Sequence, residues 1–289
     1  MIQLVKRTQL NDDKYNACIS KSLQSRIYAY SWYLDVVANN WSVLVLDDYE
    51  AVMPLPWNHK FGLRYITQPF FTQQLGVFSK ENLSKELMGE FIKSVPKRFL
   101  KITLQFNSDN QFLETSGTKK DNFILALNSD YNALYKNFSK GRKHAILQGL
   151  KNELTLEEVP FSEVLALSKK NYSFKELSDK EYQKLTTLVQ VLKNKQMVSV
   201  LGVKWHNQLI GGAVFILDVK RIVYLFSAIS PKGKEMQAGS LLLNTIIKNH
   251  ATSLKTLDFE GSSIPGVATF FKSFGATNIT YSLFKKRVL

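Results

Sequence analysis

The sequence predicts a mixed α/β (α+β) chain built from two consecutive domains. Three observations carry this. Runs with strand character and amphipathic helical runs are interleaved from end to end. A length of 289 residues is long for one compact core and suits two domains of ordinary size. The two halves also read alike, each with helices, a hairpin or meander, a further helix and closing strands, although no stretch repeats in sequence. The boundary is expected near 128–131, giving domains 1–130 and 131–289.

Residues 1–10 read as a short strand and 12–24 as a polar helix. The run Tyr28–Val37 sets aromatic and aliphatic side chains at helical spacing. WSVLVL (41–46), the acidic DDYE and AVMPLPW (51–57) read as a hairpin. Pro54 and Pro56 place its second strand at an edge or end it early. Two short strand-like runs follow at 65–71 and 75–78. Lys80–Val95 is expected as a helix, from the stripe of Leu83, Leu87, Met88, Phe91, Ile92 and Val95, with Pro96 as its stop. Strands at 101–106 and 122–127 close the first half.

Residues 131–150 read as one helix ending near Gly149, followed by a strand at 154–159 and a helix at 161–171. Ser178 and Glu181 form a capping box, because the serine accepts from the first free amides while the glutamate reaches back. Tyr182, Leu185, Leu188, Val189 and Leu192 then share one face. A meander spans 197–205, 209–217 and 222–230. A helix begins near Gly239 and a strand covers 255–259. Pro265 opens a short helix with Val267, Phe270, Phe271 and Phe274 on one side, and 278–286 is the last strand.

Composition narrows the function classes. Hydrophobic residues make up 45% and charged residues 21%, which is globular and not disordered. A single cysteine, Cys18, excludes an internal disulfide and a cysteine-based metal site, and fits a reducing compartment. The N-terminus lacks a signal-peptide pattern, and no apolar run nears the roughly 20 residues of a membrane helix. The expectation is a cytoplasmic protein without membrane insertion. Lys and Arg total 38 against 24 acidic residues, a net charge of +14. Such a balance favours anionic partners, or simply keeps a lysine-rich surface soluble. The histidines show no metal-ligand spacing, and there is no Ser-His-Asp or Walker-type signature.

The segment 197–286 holds the chemistry. A helix that follows an antiparallel meander points its free N-terminal amides at the sheet, where they can hold phosphate. The loop before it, SPKGKEMQAGSLLL (230–243), adds Lys232 and Lys234 for charge and Gly233 and Gly239 for close approach. The same loop also reads as an ordinary basic connection.

The order of these elements resembles the GNAT acyltransferase superfamily. There, a Gln/Arg-x-x-Gly-x-Gly/Ala loop cradles the coenzyme A pyrophosphate. The matching stretch here is Gln237, Ala238, Gly239 and Ser240, with Lys234 upstream. Only one glycine stands where that pattern has two. LDFEGSSIPGVATFFKSFGA (257–276) is similar to the closing segment of the Fem-type peptidoglycan aminoacyltransferases, through Asp258, Phe259, Gly261 and Phe271-Lys272-Ser273-Phe274-Gly275. FSKGRKHAILQGL (138–150) resembles the basic helix that opens their second domain, and PLPW (54–57) with PFFTQQLG (69–76) is similar to their first. The coiled-coil arm of the characterised members has no counterpart heptad run here.

The resemblance implies two tandem GNAT-like domains, each a mixed, mostly antiparallel sheet flanked by helices. It implies transfer of an acyl or aminoacyl group to a small-molecule or nucleotide-linked amine. The donor is acyl-CoA or, alternatively, aminoacyl-tRNA, and no metal is expected. Lys234, Gln237, Ala238, Gly239 and Ser240 would hold the donor. Lys272 would neutralise a phosphate or a developing oxyanion, with a solvated lysine as the alternative. Glu260 and Asp258, at a strand end, are candidate bases, although Asp258 can instead cap the following turn. Arg142, Lys143 and Tyr224 are candidate substrate-binding residues. Lys136, Lys140 and Lys143 fall on one helical face that could bind phosphates or an RNA backbone, or be solvated. The rival to the enzyme is a GNAT-like scaffold without chemistry that binds an anionic ligand or RNA.

Overall fold

The computed structural model describes residues 1–110, 117–171, 177–261 and 265–287. In chain order the elements are β1 (Ile2–Lys6), α1 (Asp12–Lys21), α2 (Ser31–Val37), β2 (Asn40–Leu46), β3 (Ala51–Lys60), β4 (Leu63–Thr67), β5 (Phe78–Ser79), α3 (Lys85–Lys93), β6 (Phe99–Phe106) and β7 (Thr118–Ala126). Then come α4 (Tyr131–Lys136), α5 (Lys140–Lys151), β8 (Thr155–Glu158), α6 (Phe161–Asn171), α7 (Asp179–Asn194), β9 (Val198–Trp205), β10 (Gln208–Leu217) and β11 (Arg221–Ile229). The chain ends with α8 (Pro231–Glu235), α9 (Ala238–Asn249), β12 (Thr256–Asp258), α10 (Pro265–Lys272) and β13 (Thr277–Arg287).

Two compact units result, residues 1–121 with 280–289, and residues 122–279. In the first, β1, β2, β3 and β4 form antiparallel pairs, β4 pairs in parallel with β6, and β6 is flanked by residues 282–287 of β13. Its core is built on Met53, Leu55, Ile66, Phe91, Phe99 and Phe106. In the second, the order is β7–β12–β11–β10–β9–β8, antiparallel throughout except for the parallel pair β11–β12. Its larger core gathers Phe123, Phe138, Phe215, Leu242, Phe259, Phe271 and Phe274.

The division falls at 121/122, whereas the linear reading places it near 128–131. The last strand groups with the first unit because its ladder runs to β6 over Ser282–Arg287. Linear order carries no sign of such a return. Pro54 and Pro56 do not end β3, which continues to Lys60. They lie where β3 has no strand on its second side, since β5 pairs with 51–52 and β4 with 57–60. A missing N–H there breaks no ladder bond.

The expected helix 131–150 is two helices. Ser139 accepts from the Arg142 N–H at 3.2 Å and starts α5 afresh. The break removes the shared face of Lys136, Lys140 and Lys143, and Lys143 Nζ instead donates to the Lys136 carbonyl at 2.9 Å. Ser178 caps α7 as the sequence indicates, and Tyr182, Leu185, Leu188, Val189 and Leu192 are its buried face. In β10, adjacent glycines serve two neighbours. A Cβ on Gly211 would lie 2.9 Å from the Ala238 side chain of α9, and one on Gly212 would lie 2.6 Å from Val164 of α6.

Cys18 is fully buried in α1, with Sγ 3.7 Å from the Glu50 carbonyl and 3.8 Å from that of Phe78. Burial pushes its thiol up to about 11 from 9.0. At pH 8 this lowers the thiolate fraction about a hundredfold, on top of the steric block. Native protein is therefore expected to react with a chromogenic disulfide at least about a hundredfold more slowly than urea-unfolded chain. Equal rates would show that α1 is not held against β3 and β5.

Candidate functional site

The site begins where a ladder stops. The parallel pairing of β11 with β12 has three rows, Arg221–Thr256, Ile222–Leu257 and Val223–Asp258. β12 ends at Asp258, while β11 continues to Ile229. On its other side β11 pairs with β10, and there the register skips Leu225: Tyr224 faces Phe215 and Phe226 faces Val214. The extra residue is a β-bulge, and it reverses the alternation of side chains beyond it. Tyr224 thus joins the main core, while Phe226 and Ala228 pack on the α6 side. Ser227 and Ile229 return to the side of Tyr224.

On that side is a cavity of about 380 Å³. Tyr224, Ser227 and Ile229 form its floor, Gly233, Lys234, Gln237, Gly239 and Ser240 one wall, and Val267, Phe270 and Phe271 of α10 the other. The first wall is shaped by two local constraints. Ser230 caps α8, accepting from the Gly233 N–H at 3.0 Å and donating to the Ile210 carbonyl at 2.9 Å. Gly233 lies so close to β10 that a Cβ would sit 2.1 Å from the Ile210 oxygen. Gln237 then adopts a left-handed conformation, φ +64°, which turns the chain directly into α9. For a residue other than glycine this costs about 1 kcal/mol, and such strain concentrates at functional sites. The Ser240 and Leu241 N–H groups donate to the Gln237 carbonyl at 3.0 and 3.2 Å, which leaves the Ala238 and Gly239 amides at the positive end of the helix dipole.

Arg142 backs the same turn from α5. Its Nη1 donates to Ser240 Oγ, its Nε donates to Ser273 Oγ at 2.9 Å, and Ser240 Oγ donates to Gln237 Oε1 at 3.1 Å. The guanidinium lies over the rings of Phe270 and Phe274, 4.2 and 4.7 Å from their centroids. Burial pushes it down to about 10, so it stays charged at neutral pH with much of its hydration removed. Among the described residues no carboxylate lies within ion-pair distance of it. A dehydrated cation at a helix N-terminus beside a cavity is a receptor for an anion.

Lys234, Gln237, Gly239, Ser240 and Tyr224 line the cavity, with Arg142 behind Ser240. Ala238 does not, because its side chain packs against Gly211. Lys143 is turned to the end of α4. Asp258 is 1% exposed and accepts from Arg221 Nη1 at 3.0 Å, Asn122 Nδ2 at 3.1 Å and the Glu260 N–H at 3.1 Å. These three bonds make it a cap for the following turn and an ion-pair anchor, and it lies outside the cavity lining. Glu260 sits at the strand end with φ +58°, outside the lining. Lys272 follows Phe271 by one helical step, so its side chain leaves the cavity and its Nζ stands 5.4 Å over the Phe123 ring. Residues 262–264 of the Fem-like segment lie outside the described residues. Ser227 escaped the sequence reading because nothing marks the bulge at Leu225, while Phe270 and Ser273 were named only as part of a helix face and a motif, not as site residues. Among the described residues no carboxylate or imidazole lines the cavity. Among the described residues no cluster of His, Cys, Asp or Glu could hold a metal.

Each unit places a parallel strand pair, β4–β6 in the first and β11–β12 in the second, among antiparallel ones. Solved structures share this plan over nearly the whole chain. FemX aligns with a TM-score of 0.66 at 12% identity, covering 95% of this chain and 96% of that one. The chain has a GNAT/Fem-like fold. A tandem GNAT protein from the clavulanic acid biosynthesis pathway gives 0.60 at 9% identity, covering 100% of this chain and 99% of that one. L-PGS from Bacillus licheniformis gives 0.55 at 11%, covering 96% and 91%. No protein-family profile and no curated protein matches the sequence.

Two substitutions separate the roles within the second unit. A methyl on Gly239 would meet Phe270 and Ile229 at ordinary contact distances of 3.7 and 3.8 Å, so it fits but narrows the cavity. Gly239→Ala is expected to keep or raise stability, by up to about 1 kcal/mol, while weakening ligand binding. Asp258→Ala is expected to cost about 3 kcal/mol in urea unfolding, because it strands Arg221 and Asn122. A loss in binding without a loss in stability would instead put Asp258 in the site.

Proposed function

We propose that the chain transfers an acyl or aminoacyl group to an amine, with the donor held in the cavity between β11, α9 and α10. The observation that supports this most is the convergence of the α9 N-terminus, Arg142 and Lys234 on one wall of a largely apolar cavity. An anionic donor with an extended acyl arm needs both features. Charge at the wall holds phosphate, and the apolar floor removes water from the arm. A phosphate-bearing thioester or ester fits these residues, and when bound it supplies the activated carbonyl.

The residues of the chain would then do the following. Lys234 and the first-turn amides of α9 bind phosphate. Arg142, through Ser240, fixes that turn and adds its charge. Tyr224 points from the floor and holds a proton for the leaving group. The new C–N bond forms as the C–S or C–O bond breaks, and the proton of the amine passes to water, since no carboxylate lines the cavity. Rate enhancement comes from holding donor and amine in position for attack. The lack of a lining base favours a second reading, a binding scaffold without chemistry.

A thermal-shift panel at fixed low salt tests the donor, using acetyl-CoA, longer acyl-CoA, free CoA, tRNA and a nucleotide-linked muropeptide. A saturable shift with a CoA thioester is expected, together with amine-dependent release of thiol. A shift with tRNA or muropeptide alone would move the donor to the aminoacyl class, and a shift without turnover would favour the scaffold. In the enzyme, Arg142→Gln is expected to raise the donor KM about tenfold. Tyr224→Phe is expected to lower kcat about a hundredfold at similar KM. Unchanged kinetics in both variants would remove this cavity from the reaction.

A further inference from the structure

One end of the first unit is built unlike the rest of its surface. The hairpin between β3 and β4 closes at Lys60–Leu63, leaving the two-residue turn Phe61–Gly62 with φ of +52° and +75°. Both turn residues are left-handed, a conformation that favours Asn-Gly. Phenylalanine is a poor choice there on backbone grounds, and the residue is 90% exposed. Leu63 beside it is 56% exposed, and Leu100 is 41% exposed. Leu100 belongs to the same end because Arg64 pairs with Phe99 and Tyr65 with Lys101.

Cations surround these apolar tips. The ladders bring together Lys60 and Arg64 of the hairpin, Arg98 and Lys101 at the start of β6, and Lys286 and Arg287 at the end of β13. Three are steadied on aromatic rings, Lys60 over Phe61, Arg64 over Trp57 and Arg98 over Phe99, at 5.3, 5.3 and 5.5 Å. The stretches 57–66, 96–103 and 284–287 contain no Asp or Glu. The acidic turn 47–50 lies at the opposite end of β3.

We propose that this end of the first unit docks on an anionic lipid bilayer. Phe61, Leu63 and Leu100 enter the interfacial layer, and the surrounding lysines and arginines meet lipid phosphates. An apolar tip ringed by cations combines the two forces that hold peripheral proteins on membranes. A nucleic acid would satisfy the cations, but Leu63 and Leu100 have no π face to stack on a base. Among the described residues no helix is long and apolar enough to cross a membrane, so the contact is peripheral. The inference stands whether or not the chain transfers acyl groups.

Vesicle co-sedimentation of the full chain tests it, with phosphatidylcholine alone and with roughly one-third phosphatidylglycerol. Binding is expected on the anionic vesicles only, falling as salt rises. Phe61→Asn suits the left-handed turn and should leave the melting temperature unchanged or higher, yet reduce partitioning about tenfold. Arg98→Glu with Lys101→Glu should abolish it. Phe61→Trp should show a blue-shifted emission on anionic vesicles. Absence of binding to anionic vesicles overturns the proposal. So does binding indifferent to Phe61→Asn, or competition by single-stranded RNA with no blue shift of Phe61→Trp, which would make the surface a nucleic-acid site.

Discussion

A single buried carboxylate organises the second unit. Asp258 ties Arg221 of β11, Asn122 of β7 and the Glu260 N–H beyond β12 into one cluster. That cluster sits in the last row of the parallel ladder, so β12 ends at the point where β11 still has six residues to run. The buried pair gives little net stability of its own, but it fixes where three strands meet. Everything proposed for the cavity follows from that stop. The bulge at Leu225 turns Tyr224, Ser227 and Ile229 to one side, and the α8–α9 turn closes over them.

The first unit repeats the plan and fills the gap. Its parallel pair β4–β6 ends at Thr67–Thr103, and β6 runs on past β4 in the same way, still paired with β13 on its other side. There the chain itself takes the place beside β6. Leu75 pairs with Phe106, Asn107 Nδ2 donates to the Leu75 carbonyl at 3.0 Å, and Asn110 bonds both the N–H and the carbonyl of Val77. Gln68 adds a bond to the Gln105 N–H at 3.2 Å. Buried amide side chains that satisfy a connecting segment on every side make it part of the core. Two units of one architecture thus differ at the equivalent position, one closed by its own backbone and the other open beside a helix N-terminus.

How much of this was legible depends on the range of the interaction. The α7 cap and stripe were readable because Ser178, Glu181 and the leucines interact within a few residues of one another. The layout of the meander, the α9 start near Gly239 and the loop 234–240 were local in the same sense. What escaped was set by partners distant in sequence. Asp258 read as a candidate base or a turn cap, and its partners Arg221 and Asn122 lie 37 and 136 residues away in sequence. Lys272 looked catalytic from its motif, but the same helical step that buries Phe271 turns the lysine away. Pro54 and Pro56 read as terminators because the gap between β4 and β5 pairing cannot be seen in β3 itself. The bulge at Leu225 has no residue signature, so Ser227 went unnoticed.

The charge of the chain is a bulk property whose placement only the structure gives. A value of +14 points to anions without saying where. The structure divides that excess by environment. Arg142 is a half-buried cation, stripped of water between two phenylalanines and held by serine hydroxyls, suited to one anionic group of defined geometry. The cations around Phe61 are exposed, spread along strand ends and interleaved with apolar tips, suited to a surface that is itself an array of charges over an apolar layer. Salt screens the second kind strongly and the first kind weakly, because only the exposed charges interact through water. Ionic strength therefore separates the two sites within one molecule: a rise from low to physiological salt should erode surface docking while leaving occupancy of the cavity largely intact.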